Sequence, residues 1–464
     1  MAVNFPMNPY RSIRSLCKCF VVFLIFFYMV LLGSIYHNPL VVEMPYAYMK
    51  KKTLSEESSK LTEQQRNICK HNLVNSTITP VVGTNTYVVA AYLDFRGFQS
   101  VRVLGIGNRE ECPRLYCHFC SANITYVVHA EIQIHADHFN FPYGTMDLMC
   151  YLEGDHVPTY VSISLASEVR PLTQYLKVKN IEAQLQGLPL TNFEYEFVVC
   201  ISTLFGDYNN VLQFVQAMEM YKILGAQKVV LYKTHCSKLL ERVLDYYVKV
   251  GFLDVVQWPI TLYLNVSSGW HFPEHPGELH YYGQTATLND CIYRNMYRSK
   301  YIALNDIDEI ILPVNHNNWH DLMEYLGKEN WIFSTFIFEN HVFPSTKKYK
   351  SRSAPLKGWN YVPGVDMLQY VHREPSVPYV LNAKKMIVNP RSVIKTSVHS
   401  PLEVSGEQYW VPSEDAKLCH YREPEQPNLP EESLIEDFTL LKYESMLIKN
   451  VNHVLKEVQL LGHD

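Results

Sequence analysis

The chain has 464 residues, with 41 Lys plus Arg against 46 Asp plus Glu and a formal net charge of −5. A balance this thin points away from nucleic acid as a partner. With 47% hydrophobic and 19% charged residues, the chain can bury a large core, which excludes a disordered protein, and its length suggests two or three domains.

The first element is apolar. From Cys19 to Val42 no side chain is charged, and Phe20 to Tyr36 is almost continuously hydrophobic. A helix of that length spans a hydrocarbon core of roughly 30 Å. Arg11, Arg14 and Lys18 flank it on the N-terminal side and the next basic residue is Lys50, so the positive-inside bias predicts a type II signal-anchor. Residues 1–18 are then a cytosolic tail, 19–36 the single transmembrane helix, and 37–84 a lumenal stem. A cleaved signal peptide ending near Gly33-Ser34 is the competing reading, and the long apolar run argues against it.

Sequons at Asn75, Asn123 and Asn265 fall on the lumenal side, fitting a glycoprotein. Nine of the eleven Cys lie there too, which favours disulfide bonds over a zinc site at Cys112, Cys117 and Cys120, and an odd number leaves one thiol free.

Residues 85–190 read as an antiparallel β module, with β-rich runs at Tyr87–Leu93, Val101–Leu104, Ile124–Ile134 and Tyr160–Leu165. Residues 191–464 follow a strand and helix rhythm. A strand at Phe197–Ser202 precedes a helix over Val211–Leu224, a strand at Lys228–Tyr232 precedes a helix near 239–248, and Leu253–Trp258 is a third strand. Such alternation predicts a largely parallel α/β sheet, whose ligands bind beyond the carboxyl ends of the strands. Glu431–Val458 has the spacing of one or two exposed helices.

A helix over Gln284–Arg298 leads to the apolar strand Lys300–Asn305 and then to Asp306-Ile307-Asp308-Glu309. An acid-x-acid triplet alone is weak, since Glu153-x-Asp155, Glu194-x-Glu196 and Glu423-x-Glu425 share the pattern. Position distinguishes Asp306 and Asp308, which sit between two apolar runs, where unpaired carboxylates would be costly. Hard oxygen ligands suit Mn²⁺ or Mg²⁺ bridging a diphosphate. The alternative is an ion pair with Arg294 or Arg298.

The run His280-Tyr-Tyr-Gly-Gln-Thr-Ala-Thr-Leu-Asn-Asp-Cys-Ile-Tyr-Arg, leading to Tyr301-Ile-Ala-Leu-Asn-Asp-Ile-Asp-Glu-Ile-Ile-Leu-Pro, resembles glycosyltransferase family 92. Glu219-Met-Tyr-Lys-Ile-Leu-Gly-Ala, Asp254-Val-Val-Gln-Trp-Pro, Lys385-Met-Ile-Val-Asn-Pro and Val398-His399 extend the match over roughly residues 190–400. The resemblance implies a GT-A-type, Rossmann-like nucleotide-sugar transferase domain that is inverting and Golgi-resident. UDP-galactose would be the donor, Mn²⁺ the cofactor and a glycoprotein glycan the acceptor. The wording resembles avian members that add β1,4-linked galactose to a terminal β-galactoside, whereas nematode relatives galactosylate core fucose. A membrane-tethered glycan-binding protein without catalysis is the rival of a different class, and the chain leaves a homodimer open.

On this resemblance Asp306 faces the ribose or the metal, Asp308 ligates the metal, Glu309 orients both, and His399 completes the metal site. Lys385, Arg391 or Lys395 would help the departing diphosphate, and Thr203 and Asp207 would contact uridine. The catalytic base is expected among Glu374, Asp366 and Glu339, with Glu374 first. Trp270, Trp359 and Tyr361 are expected in loops, where each either stacks on galactose or packs in the core.

Overall fold

The alternating apolar runs of the N-terminal part pair into one sheet of nine strands. The computed structural model describes residues 72–461 apart from 112, 122–124, 155, 170–171, 187–191, 330–331, 353–355, 357 and 378–381. The expected tail, anchor and most of the stem therefore lie outside the described residues, as do Cys17, Cys19, Cys69, Cys112 and the sequon Asn123. No helix among the described residues is long and apolar enough to cross a membrane. Asn75 and Asn265 are both exposed.

The sheet comprises β1 (Thr79–Pro80), β2 (Thr86–Asp94), β3 (Ser100–Asn108), β4 (Tyr116–Cys120), β5 (Thr125–His129), β6 (Glu131–Ile134), β7 (Tyr143–Tyr151), β8 (Tyr160–Ser164) and β9 (Leu176–Lys179), in the order β5-β4-β8-β9-β2-β3-β7-β6 with β1 beside β2. The run expected at Ile124–Ile134 is two strands, broken where Ala130 gives its N–H to Leu115 O. The stem boundary at 84 is also corrected. Ile78 and Val81 are buried, and β1 pairs with β2, because these apolar side chains complete the module's core.

Nor does the module fold around a core of its own alone. Tyr92, Leu104 and Ile106 on one face of β2 and β3 pack in a single cluster with Cys200, Val230 and Ile292, while the other face makes a second core with Cys117, Phe119 and Cys150. Cys117 is bonded to Cys150 and Cys120 is also disulfide-bonded, so the two described members of the would-be zinc cluster are in disulfides. Two described thiols, Cys236 and Cys419, are free and buried, against the one expected.

A short helix α1 (Ile181–Gln186) leads to the α/β region. There β10 (Tyr195–Leu204), α2 (Val211–Ile223), β11 (Lys228–Lys233), α3 (Lys238–Lys249) and β12 (Leu253–Gln257) alternate, followed by α4 (Gln284–Asn295) and β13 (Ser299–Asn305). Buried aromatic and β-branched runs such as Phe197-Val-Val make β10 a central strand. Ser237 caps α3 by accepting Leu240 N–H, and Gly251 ends that unit at a positive φ of 77°.

Past the acidic run come β14 (Glu309–Pro313), α5 (Trp319–Glu329), β15 (Phe333–Phe338), β16 (Asn340–Pro344), β17 (His372–Arg373), β18 (Lys385–Val388), β19 (Val393–Thr396), β20 (Pro401–Val404), β21 (Glu407–Val411), β22 (Ala416–Arg422) and β23 (Ile435–Glu436). The central sheet runs β12-β11-β10-β13-β18-β15-β21. Its first four strands are parallel, and β18 enters antiparallel to both β13 and β15. A smaller sheet, β14-β22-β16, carries the chain just after the acidic run. The last helix α6 (Glu444–Glu457) buries Leu447, Val451, Val454 and Leu455 in the main core. It is an integral element, not the exposed helix expected from its spacing.

Candidate active site

The order β12-β11-β10-β13 reverses direction between β10 and β13. Such a switch point opens a crevice at the carboxyl ends of the strands. A cavity of about 670 Å³ lies there, in the size range of small-molecule sites. Its wall includes Ser202, Thr203 and Phe205 from β10 and the turn after it, and Asp306, Asp308 and Glu309 from the turn between β13 and β14. Lys385, His399, His420 and Arg422 arrive from later in the chain.

Each acid has its own partners. Asp306 Oδ1 accepts from Gln284 Nε2 at 3.1 Å and Ser202 Oγ at 3.3 Å, and Oδ2 lies 2.7 Å from the ammonium of Lys385. Asp308 Oδ2 is 3.3 Å from His420 Nε2. Glu309 is buried beneath them, its Oε2 accepting Asp306 N–H at 3.1 Å and lying 3.4 Å from Lys385 Nζ, its Oε1 3.5 Å from His420 Nδ1. Burial pushes the Glu309 carboxyl up to about 7 against the pull of Lys385. Burial also works to raise Asp308, but the neighbouring His420 outweighs it and holds that carboxyl below its ordinary value. Neither Arg294 nor Arg298 touches the pair: Arg294 binds Asp290 and Arg298 binds Glu194.

The donor set suits a hard divalent cation. Asp306 and Asp308 present partly exposed carboxylates to one cavity. His399 gives its Nδ1–H to Lys384 O at 3.0 Å, leaving the lone pair on Nε2, and burial holds the ring neutral by pushing its pKa down to about 4. Among the described residues, however, no three His, Cys, Asp or Glu side chains stand assembled as a metal cluster. A cation here would thus be held by one or two protein carboxylates and would need oxygens from a bound ligand or water.

The cavity wall also holds polar atoms awaiting a partner. The buried hydroxyls of Thr203 and Tyr208 have no hydrogen-bond partner among the described residues, a state that usually marks a ligand or water contact. Tyr281 and Tyr282 adopt φ of 37° and 55°, a left-handed conformation costly for bulky residues. It is held by Trp258 Nε1–H donating to Tyr282 O at 2.8 Å, with Tyr282 stacked 4.0 Å from Phe205.

Several expected residues lie elsewhere. Glu374 is buried and accepts Gln426 N–H at 3.1 Å. Asp366 is buried, accepting from Gln216 Nε2 and capping a turn at Leu368 N–H. Glu339 accepts from Ser376 and Ser413. None of the three lines the cavity. Asp207 is an exposed partner of His235. Arg391 spends its guanidinium on the carbonyls of Met296, Ser299 and Lys300, and Lys395 reaches Gln133 and Glu403. Trp359 is core, bonded to Asn452, and Tyr361 is exposed outside the cavity, whereas Trp270 lines it.

Residues that sequence reasoning passed over are His420, Arg422, Glu423 and Glu425, all in the wall. The only signal for the last two was the acid-x-acid pattern, set aside for want of an apolar strand leading into it.

This architecture, a switch-point crevice lined by paired acids, is accompanied by a match in sequence. The profile of glycosyltransferase family 92 covers residues 195–457, more than half of the chain, and the chain belongs to that family. It is 25% identical over 245 residues to the Beta-1,4-galactosyltransferase galt-1 of Caenorhabditis elegans, covering 50% of this chain and 49% of that protein. A glycosyltransferase family 92 protein of the same nematode is 26% identical over 206 residues, covering 44% of this chain and 38% of that protein. The chain thus spans about half or less of the length of the curated relatives it matches. Among solved structures, S. aureus TarS 1-349 in complex with UDP aligns over 56% of this chain and 65% of that one, at 10% identity and a TM-score of 0.28. A likeness that loose adds nothing to the argument.

Proposed function

We propose that the chain is an inverting galactosyltransferase that moves galactose from UDP-galactose to a terminal β-galactoside of glycoprotein glycans, in β1,4 linkage, while anchored by residues 19–36 in the Golgi membrane. The observation that carries this reading is the meeting of Asp306 and Asp308 in one cavity at the β10/β13 switch point of a family 92 domain. The galactosyltransferase name of a relative supports the choice of sugar.

Thr203 and Tyr208 offer free hydroxyls to the nucleotide, and Phe205 an aromatic edge. Asp308, with Asp306, would hold Mn²⁺, which as a Lewis acid stabilises charge on the departing diphosphate. Arg422 lines the same cavity and adds positive charge for the leaving group. The acceptor oxygen forms its bond to the anomeric carbon opposite the diphosphate as the carbon–oxygen bond to UDP breaks. A carboxylate must take the hydroxyl proton. We assign that role to Glu423, because Glu425, the other wall acid from this segment, lies 3.6 Å from Arg422 while Glu423 accepts one hydrogen bond from Ser345.

The test compares the full-length chain with Asp308→Asn in UDP-galactose, Mn²⁺ and lactose, reading UDP release and the anomeric configuration of the product. A fall of 100-fold or more in the variant is expected. Equal release from both would overturn the reading.

A further inference from the structure

A second cavity of about 590 Å³ opens beside the first and shares Trp270 and His271 with it. Phe139 and Asn140 come from the β module, and Trp270, Phe272, Glu274 and His275 from the loop before α4. We propose that this cleft is the acceptor subsite, taking a neutral galactoside whose apolar ring face lies on the aromatic wall while Asn140, Glu274 and His275 meet its hydroxyls. The assignment rests on the galactosyltransferase reading above.

The wall is prearranged. Trp270 is stacked on His399 at 5.3 Å and 18°, and the edge-to-face contact with Phe139 is at 5.3 Å and 84°. Phe139 in turn stacks on His280 at 3.9 Å. Rings held on several sides present a surface without the entropy cost of ordering them. The backbone is equally constrained. Phe139 and Asn140 adopt φ of 52° and 63°, and strain at consecutive non-glycine residues clusters at ligand clamps. At Gly269 an added Cβ would stand 2.1 Å from the His275 ring, so the loop closes on itself only because that residue has no side chain. Module and loop are also joined by Tyr143 N–H to Glu278 O at 2.9 Å.

Chemistry selects the occupant. Among the described lining residues there is Glu274 but no Lys or Arg, which disfavours a phosphate, a second nucleotide or an anionic glycan. Aromatic faces with a few polar groups match a neutral sugar. Position agrees: Tyr281, in the wall of the first cavity, touches both Phe205, on the β10 side, and Trp270, with ring centroids 5.3 and 5.4 Å away. A molecule in the cleft thus borders the first cavity at Trp270 and His271, which both share. The assignment also gives a reason for the β module to share a core with the transferase domain, since Phe139 and Asn140 of the cleft wall come from it.

The test uses the full-length chain and its Phe272→Ala and Glu274→Gln variants, with Phe98→Ala, an 85% exposed position elsewhere on the module, as control. Loss of one aromatic contact is expected to raise KM for lactose about 5- to 10-fold while KM for UDP-galactose stays within about two-fold, and Phe98→Ala changes neither. An unchanged lactose KM in both cleft variants overturns the proposal. If the wild type transfers no galactose, the functional reading fails and the cleft is judged by binding alone, from saturation-transfer NMR with methyl β-galactoside. A signal in wild type that Phe272→Ala abolishes supports the cleft, and equal or absent signals overturn it.

Discussion

The ammonium of Lys385, at the start of β18, lies 2.7 Å from Asp306 Oδ2 at the end of β13, and β13 and β18 are antiparallel neighbours. The acid at the site's floor therefore carries a counter-charge before any nucleotide arrives. Lys385 also lies 3.4 Å from buried Glu309. Removing the cation leaves one buried and one half-exposed carboxylate facing each other, which for a broken buried pair costs about 3–5 kcal/mol, less here for the exposed half of Asp306. Lys385→Met is expected to lower the urea midpoint markedly and to abolish transfer, whereas Arg391→Met, which removes bonds to three distant carbonyls, should lower stability and leave KM for UDP-galactose within about two-fold.

The assignment of the proton acceptor separates two glutamates. Glu423→Gln is expected to reduce kcat by about 10²–10⁴-fold, the usual worth of general base catalysis, with KM for the donor little changed. Glu374→Gln retains an oxygen for Gln426 N–H and should keep kcat within a few-fold. Steady-state kinetics on both variants decide the matter: a large loss at Glu374 with none at Glu423 would return the role to the residue that chain order alone favours.

That contrast shows what was legible in the sequence. The strand before Asp306 and the helices over 211–223 and 238–249 were readable because their signal is periodic and local. The place of Asp306 and Asp308 in the cavity wall was readable for the same reason, because they directly follow that strand. His420 was not, since it meets Glu309 only through the antiparallel register of β14 and β22, more than a hundred positions later. Glu374 and Asp366 lie in the expected stretch of chain, but loop packing turns them to Gln426 and Gln216. The exposed character expected of the last helix failed similarly: one apolar stripe looks the same whether it meets water or α2.

Cys200 on β10 is bonded to Cys291 on α4, closing a loop across a sequence separation of 91. A cross-link of that span restricts the unfolded chain and is worth about 2–5 kcal/mol. The paired variant Cys200→Ala with Cys291→Ala is expected to lose that much by urea denaturation, and a reductant should lower the midpoint of the wild type while leaving the variant's change smaller. An oxidising compartment is the setting in which such a bond persists.

Asp290 joins the β module to the transferase sheet. It is buried in α4, accepting from Tyr92 of β2 at 2.6 Å, from Tyr232 of β11, and from Arg294 at 2.8 Å. Burial works to raise its pKa, but Arg294, Lys179 and the two phenols together outweigh it and bring the carboxyl down to about 2, from an ordinary value of 3.8. The folded state therefore prefers the ionised form. That preference is worth about 2–3 kcal/mol, fully present above pH 4 and lost as pH falls towards 2. Urea denaturation across this range should show the wild type more stable than Asp290→Asn at pH 7 and the gap closing between pH 4 and 2. A gap that stayed constant with pH would mean that shape, not charge, binds the two layers at this point.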